Sequence, residues 1–229
     1  MRYDIVLLDA DMTLWDFVAS EKCALADVTL SLGVEITPEM EAYYHKVNAH
    51  VWHLFDLKEI DREELTTRRF REYLDFLGVG DDPAEVNHRY EEALGNYSIM
   101  LDGAEDMSRR LAEHCPLYIL TNGLHTAQTG RFNKSPIKPY IKEMFISQDM
   151  GTQKPDREYF EQVFAAIGLT DRSRAVMVGD SLYSDIKGGI NAGVDTIWYN
   201  PEHKSPNPDI VPTYEVDTME KIIEIILDN

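Results

Sequence analysis

The segment IVLLDADMTL, residues 5–14, places two aspartates directly after an apolar run. Branched and leucine side chains pack well on a pleated surface, so this run predicts a buried β-strand. An ionised aspartate at the buried end of a strand is costly unless another charge compensates it. Asp9 and Asp11 therefore require a partner, and a divalent metal ion is the first candidate.

The rest of the chain divides into two patterns. Four segments within residues 16–98 have helical spacing, and Thr37-Pro38, Asp61 and Asp82-Pro83 supply capping oxygens or a proline at helix starts. From residue 101, apolar runs alternate with helical patterns, which is typical of a parallel sheet covered on both faces. We predict an α/β fold: a Rossmann-like parallel sheet core, residues 1–15 and 99–229, interrupted by an all-helical insert, residues 16–98. The predicted strands after the first are PLYILTN, MFISQDM, RAVMVGD and VDTIWYN.

The charge balance limits the possible partners. Lysine and arginine number 22 against 41 aspartates and glutamates, a net charge of −19. Such a surface repels nucleic-acid backbones and anionic membranes, so we expect neither as a partner. No apolar run approaches the ~18 residues of a membrane span. Cys23 and Cys115 lie far apart and acidic residues occupy the start of the chain, which predicts a reducing, cytoplasmic location.

Polar residues follow four of the predicted strands, either directly or after a short loop. Ligands of open parallel sheets bind beyond the carboxyl ends of the strands, so these groups can converge although they are far apart in sequence. Each group alone has an ordinary interpretation as a capped turn or a solvated loop charge. A calcium loop is excluded, because Leu14 and Ser20 stand where an EF-hand needs glycine and glutamate. The converging residues are Asp9, Asp11, Thr121, Asn122, Lys154, Asp180 and Asp185.

Two glycine-containing stretches and one loop have structural interpretations. Gly179 permits close backbone approach at the end of the strand RAVMVGD. The stretch GGINAG, residues 188–193, does not match the dinucleotide-binding pattern G-x-G-x-x-G, so we interpret it as helix packing and a C-terminal cap. The proline-rich stretch NPEHKSPNPDIVP, residues 200–212, predicts a surface connection.

The motifs DADMT, TNG, QKP and GDSLYSD, in this order, resemble the four motifs of the haloacid dehalogenase superfamily of phosphohydrolases. The likeness covers nearly the whole chain, and the helical insert resembles the first type of cap in that superfamily. A closer likeness runs through KVNAHVW, RRF, MVGDSLYSDIKGGINAG and TIWYN. These stretches resemble the branch of cytosolic nucleotidases that dephosphorylate pyrimidine nucleoside monophosphates.

The resemblance implies a magnesium-dependent phosphomonoesterase acting on a small phosphorylated metabolite. Asp9 would attack phosphorus and form an aspartyl-phosphate, and Asp11 would serve as general acid and base. Carboxylates of Asp9 and Asp180 and the backbone carbonyl of Asp11 would bind Mg²⁺. Asp185 would act indirectly, by orienting a metal-bound water or Lys154.

The remaining site residues would hold the substrate. Thr121 and the amide of Asn122 would bind phosphate oxygens, and Lys154 would offset the charge between the phosphoryl group and Asp9. In the helical insert, positions that match the nucleotidases imply that the nucleoside is bound by Asn48, Trp52 and Arg69. The opposing interpretation is that the aromatic residues at this helical spacing form the core of the insert.

Several alternatives remain. A receiver-type signalling module pairs a phospho-accepting aspartate with threonine, lysine and acidic magnesium ligands, but it lacks a large helical insert and an acid two residues after the nucleophile. A dehalogenase of the same superfamily needs no acid at position 11, so Asp11 argues against cleavage of a carbon–halogen bond. A phosphatase for sugar phosphates or other small metabolites, or a phosphomutase, uses the same pair of aspartates and stays open.

Overall fold

The computed structural model describes residues 2–227, and the chain divides into two compact units. The first, here called the sheet unit, comprises the chain up to Phe17 and from Ser98 onward. The second, here called the helical unit, is Val18–Tyr97. These limits lie close to those predicted for the insert, residues 16–98.

Three helices of the helical unit begin where local side chains satisfy free backbone N–H groups. Thr37, Asp61 and Asp82 accept hydrogen bonds from backbone amides at 3.3, 2.9 and 3.0 Å, which confirms the predicted starts. Gly78 ends one helix with a φ of 68°, in the left-handed region that favours glycine. The helices are α1 (Phe17–Ser31), α2 (Pro38–Asp56), α3 (Arg62–Leu77) and α4 (Pro83–Leu94).

The core of the helical unit is built from aromatic rings. Tyr44 of α2 packs against Phe70 and Tyr73 of α3, with ring centroids 5.2 Å apart in both pairs. Tyr90 of α4 lies 5.6 Å from the ring of Tyr44. All four side chains are buried, so α2, α3 and α4 share one core.

A parallel sheet forms the centre of the sheet unit. Its strands are β1 (Ile5–Leu8), β2 (Leu117–Thr121), β3 (Ile141–Ile146), β4 (Ala175–Gly179), β5 (Asp195–Tyr199) and β6 (Tyr214–Val216). Within residues 2–227 the order is β3-β2-β1-β4-β5-β6, and every neighbouring pair is parallel. The strand β1 therefore lies between β2 and β4, and the predicted Rossmann-like α/β fold is confirmed.

Helices cover both faces of this sheet. They are α5 (Ala104–Ala112), α6 (His125–Lys134), α7 (Ser147–Met150), α8 (Arg157–Ile167), α9 (Lys187–Ala192) and α10 (Met219–Leu227). In β1, Val6 and Leu8 pack into the core that contains α5 and α10, whereas Leu7 packs into the core that contains α8. A strand buried on both faces explains the continuous apolar run that opens the chain.

Three local predictions are wrong or incomplete. The predicted strand MFISQDM ends at Ile146, and Ser147–Met150 forms the helical turn α7. The helix α6 was not predicted, because its sequence HTAQTGRFNK contains two threonines and a glycine and has no clear apolar period. The edge strand β6 has only three residues, too few for an alternating pattern to be visible.

The glycine predictions are confirmed. A Cβ at Gly188 would lie 2.7 Å from the ring of Phe160, and one at Gly189 would lie 2.5 Å from Thr196, so helix α9 packs through its glycines. Gly193 ends that helix with a φ of 76°. The predicted surface connection is also confirmed, since residues 201–209 are exposed. Among residues 2–227, no helix combines the length and the apolar character needed to cross a membrane.

Candidate active site

The carboxyl ends of β1, β2 and β4 lie side by side and bring the predicted polar residues together. Asp9 follows β1, and its backbone N–H donates to the carbonyl of Val178 in β4 at 2.9 Å. Thr121 ends β2 and Asp180 follows β4. Lys154 reaches the same place from the loop between α7 and α8.

Lys154 is the central cation of this group. Its ammonium donates to a carboxylate oxygen of Asp9 at 2.6 Å, to one of Asp185 at 2.7 Å and to the carbonyl of Leu120 at 2.7 Å. These contacts use the three protons of the ammonium group. Burial lowers the pKa of Lys154, but the carboxylates of Asp185 and Asp9 outweigh that effect and raise the pKa above its usual value. The lysine is therefore a fixed positive charge.

Asn122 holds the backbone of that lysine. Its side-chain amide donates to the carbonyl of Lys154 at 2.9 Å and its side-chain oxygen accepts from the Lys154 N–H at 3.0 Å. This reciprocal pair fixes the loop that carries the ammonium group. Thr121 Oγ1 accepts from the N–H of Gly123 at 3.0 Å, and its hydroxyl proton remains a donor.

Three carboxylates form a compact acidic cluster beside Lys154. Asp9, Asp180 and Asp185 each contribute an oxygen, and these oxygens lie within 4.8 Å of one another. Burial and the negative charge of Asp185 raise the pKa of Asp9, and the same two causes raise the pKa of Asp180 to about 7. Asp9 and Asp185 share the ammonium group of Lys154, so the three carboxylates outnumber the buried cation beside them.

This donor set fits a divalent cation. All its candidate ligand atoms are oxygens, which Mg²⁺, Mn²⁺ and Ca²⁺ prefer. Asp9 and Asp180 of the predicted ligand set belong to this cluster, and Asp185 joins them. The predicted contribution of Asp11, its backbone carbonyl, stays a prediction.

Asp185 is held in place by neighbouring backbone. Its second carboxylate oxygen accepts from the N–H of Ser181 at 3.0 Å. A Cβ at Gly179 would lie 2.3 Å from that same oxygen, so only glycine leaves room for the carboxylate. The predicted close approach at Gly179 is thus confirmed, and the approaching group is Asp185.

Asp11 points to a different set of partners, on helix α6. Gln128 Nε2 donates to one of its carboxylate oxygens at 2.6 Å, and Arg131 Nη1 donates to the other. Sequence reasoning missed both residues. The available signal was their spacing, since residues three apart share one face of a helix, but the helix itself was not predicted.

Two further contacts were not predicted. Thr13, the last residue of DADMT, donates from its hydroxyl to Asp9 at 3.2 Å. Lys204 lies 3.7 Å from a carboxylate oxygen of Asp180 and comes from the exposed loop between β5 and β6. A half-exposed ion pair at this distance contributes little to stability.

In the helical unit, Asn48 and Arg69 belong to one buried network. Arg69 Nη1 donates to the side-chain oxygen of Asn48 at 3.1 Å, and Nε and Nη2 donate to that of Asn87 at 3.1 and 2.5 Å. The amides of Asn48 and Asn87 each donate to a glutamate, Glu21 and Glu91, at 2.6 Å. Arg69 is only 1% exposed. Its guanidinium contacts the two asparagines, and each asparagine in turn contacts a glutamate.

Trp52 is the most accessible of the three residues predicted to bind a nucleoside. It lies four residues after Asn48 on α2, is half-buried and packs edge-to-face on Phe55 with ring centroids 5.7 Å apart. Phe55 and Phe70, by contrast, are buried in the core of the helical unit. The core interpretation therefore applies to the phenylalanines.

Replacing Arg69 with alanine should strongly destabilise the helical unit. The change leaves the oxygens of Asn48 and Asn87 without a donor and removes a guanidinium that lies 5.1 Å from the ring of Tyr90. We expect the free energy of unfolding to fall by ~3 kcal/mol or more, measured by urea denaturation.

The neighbouring Arg68 provides a matched control. It makes a half-exposed i,i+4 pair with Glu72 at 2.8 Å, so Arg68→Ala should cost less than ~1 kcal/mol. Equal losses of stability in the two variants would contradict the structural importance of the buried network.

Comparison with known proteins identifies the family. Residues 3–193 match the model of the haloacid dehalogenase-like hydrolases, and the chain belongs to this family. It is therefore a hydrolase.

Its relatives cover the whole chain. The chain is 37% identical over 230 residues to the pyrimidine 5′-nucleotidase PynA of Streptococcus pneumoniae, covering 100% of this chain and 97% of that protein. It is 30% identical over 226 residues to the pyrimidine 5′-nucleotidase YjjG of Escherichia coli, covering 99% of each chain. The crystal structure of the HAD-hydrolase YfnB of Bacillus subtilis bound to magnesium, which reveals interdomain movement, matches with a TM-score of 0.93, 37% identity and 99% coverage of each chain.

Proposed function

We propose that the protein is a magnesium-dependent phosphomonoesterase that forms an aspartyl-phosphate on Asp9, and that its substrates are pyrimidine nucleoside 5′-monophosphates in the cytoplasm. The observation that carries this proposal is the buried ammonium of Lys154, bonded to Asp9 at 2.6 Å and to Asp185 at 2.7 Å beside the acidic cluster. One site thus combines a carboxylate nucleophile, a fixed cation and oxygen ligands for a metal ion. The full-length similarity to PynA and YjjG supports the choice of nucleotide.

In the first half of the proposed reaction, a carboxylate oxygen of Asp9 forms a bond to phosphorus while the bond to the ester oxygen breaks. Asp11 gives a proton to that leaving oxygen, so the nucleoside departs as an alcohol. In the second half, Asp11 takes a proton from the water that attacks phosphorus and displaces the Asp9 carboxylate. Lys154 and the hydroxyl of Thr121 offset the charge on the phosphoryl oxygens.

The metal ion would be held by the carboxylates of Asp9 and Asp180 and the backbone carbonyl of Asp11. Asp185 contacts both Lys154 and the N–H of Ser181, so its proposed role is to orient the lysine beside the ion. When bound, magnesium would stabilise negative charge on the phosphoryl group.

The choice of nucleoside is proposed to depend on the helical unit. Trp52 is half-buried, so part of its aromatic surface remains accessible for stacking on a base. Asn48 and Arg69 are buried and bonded to each other, so their proposed contribution is to fix this part of α2. The nucleoside-binding role predicted for all three residues is therefore proposed here for Trp52, and Asn48 and Arg69 are proposed to act by fixing α2.

A phosphate-release panel with magnesium tests the substrate. Pyrimidine nucleoside monophosphates should have a kcat/KM at least ~10-fold above purine nucleotides and sugar phosphates, because the lost contact of a mismatched group is worth that factor. The Asp9→Asn protein, purified identically, controls for contaminating phosphatase. A clear preference for sugar phosphates would refute the nucleotidase proposal and retain the phosphatase core.

A further inference from the structure

We propose that Gln128 and Arg131 are positioning residues for Asp11: together they hold its carboxyl group in the orientation from which it transfers a proton to the leaving oxygen. This inference rests on the proposed phosphomonoesterase reaction, in which Asp11 is the general acid and base. It assigns a task to helix α6 that the four sequence motifs do not include.

The first step of the argument is geometric. Gln128 Nε2 and Arg131 Nη1 each bind a different oxygen of Asp11, so the plane of the carboxyl group is fixed from two sides. Each oxygen has two lone pairs, and one hydrogen bond to each leaves further positions open. The side chain of Asp11 is 27% exposed, whereas that of Arg131 is fully buried. The Asp11 side chain is therefore held by a buried residue and remains partly exposed to solvent.

The anchor itself is fixed by the residues around it. The guanidinium of Arg131 lies 4.6 Å from the centre of the Trp15 ring. The indole N–H of Trp15 donates to Ser135 Oγ at 3.2 Å, just beyond the end of α6. Trp15 follows Asp11 by one turn of the chain, so α6 is attached to the same segment that carries the carboxyl group.

The energetic cost of this arrangement argues against a purely stabilising role. In the part of the chain that the structure describes, Nε and Nη2 of Arg131 and Oε1 of Gln128 are buried without a hydrogen-bond partner. Buried unsatisfied polar atoms cost free energy, and an apolar side chain of similar size would avoid that cost. The hydrogen bonds to Asp11 therefore explain why polar side chains occupy these two buried positions.

Gly123 of the TNG motif supports the same conclusion. A Cβ at this position would lie 2.0 Å from Gln128 Nε2 and 2.7 Å from its amide carbon. The φ of Gly123 lies outside the left-handed region, so backbone freedom does not explain the glycine. Its absent side chain leaves the space through which Gln128 reaches Asp11.

The proposal predicts a dependence on the leaving group. A nucleoside alkoxide leaves poorly and needs the proton from Asp11, whereas p-nitrophenolate leaves without one. The ratio kcat/KM reports the reaction up to departure of the leaving group, so it isolates this step. Removing an anchor should lower kcat/KM for a nucleoside monophosphate by ~10²-fold and that for p-nitrophenyl phosphate by less than ~3-fold.

The test uses Arg131→Met and Gln128→Met, which keep most of the side-chain volume and remove the donor. Arg131→Lys retains a cationic donor and should recover part of the lost selectivity. Arg172→Met is the matched control, because Arg172 also binds a carboxylate, that of Glu161, and lies 5.3 Å from the Phe164 ring. This control should leave both substrates within ~2-fold of the wild type, since surface and distant pairs contribute little.

An equal fall for both substrates, or no fall for either, would overturn the positioning role. If Arg131→Met does not fold, as judged by circular dichroism and thermal unfolding, the uncharged change Gln128→Met decides the question alone. A wild type that releases phosphate from neither substrate would refute the proposed function, and the positioning role with it. An active wild type with unselective variants refutes only the positioning role.

Discussion

Asp9→Asn is expected to abolish phosphate release, with a loss of at least ~10³-fold in kcat, because in the proposed mechanism the carboxylate of Asp9 supplies the attacking oxygen. The fold should survive. In the wild type, Lys154 donates to a carboxylate oxygen of Asp9 at 2.6 Å, and the amide oxygen of the variant can accept the same hydrogen bond. The hydroxyl of Thr13, which donates to Asp9 in the wild type, can accept a hydrogen bond from the new amide group. Phosphate release under saturating substrate, with circular dichroism and thermal unfolding as folding controls, is the measurement.

The companion variant Asp11→Asn separates the two aspartates. Without the general base the phosphoenzyme should form from an activated aryl phosphate and then persist, because water is no longer deprotonated. Mass spectrometry of acid-quenched protein should detect the phosphorylated species in this variant and not in Asp9→Asn. Near-normal turnover by a folded Asp9→Asn protein would rule out Asp9 as the nucleophile.

Removal of divalent metal is the second change with a large expected effect. Exhaustive chelation should abolish turnover, and magnesium should restore it, because the carboxylates of Asp9, Asp180 and Asp185 lie within 4.8 Å of one another around a single buried ammonium. Manganese should also restore activity, since it accepts oxygen ligands. Full activity after complete chelation would exclude the metal-dependent mechanism.

Binding can be measured apart from activity. A ligand that binds only the folded state raises the unfolding temperature, so magnesium should stabilise the wild type. Asp180→Asn should reduce that stabilisation and raise the magnesium concentration needed for half-maximal turnover. Asp106→Asn is a suitable control, because Asp106 pairs with Arg109 on the exposed surface of α5. A magnesium response unchanged by Asp180→Asn would remove Asp180 from the ligand set.

Much of the architecture could be predicted from local sequence patterns. The apolar run before Asp9 predicted β1, and the capping side chains of Thr37, Asp61 and Asp82 predicted the starts of three helices. These signals are readable because each depends on side chains a few residues apart and on the period of burial. The spatial convergence of Asp9, Lys154 and Asp180 followed from one topological rule, that ligands bind at the carboxyl ends of parallel strands.

Local patterns failed where packing outweighed propensity. The helix α6 contains Thr126, Thr129 and Gly130, which are weak helix formers, yet it forms within the sheet unit, where its Phe132 packs against the core. The strand β6 is stabilised by its pairing with β5. Neither element has an apolar period long enough to be recognised.

The sequence by itself determined the alternation of five apolar strands with helices and the chemistry at the strand ends, because both are encoded within short stretches such as IVLLDAD. Only the tertiary structure decided which side chains hold Asp11 and which atoms Lys154 contacts. Gln128 and Arg131 bind Asp11 across 117 and 120 residues of chain, and Lys154 binds Asp9 across 145. Such contacts depend on how whole helices and strands pack together. The residues adjacent in sequence do not predict that packing. The same reason explains why Arg69, polar by type, is buried within a hydrogen-bond network.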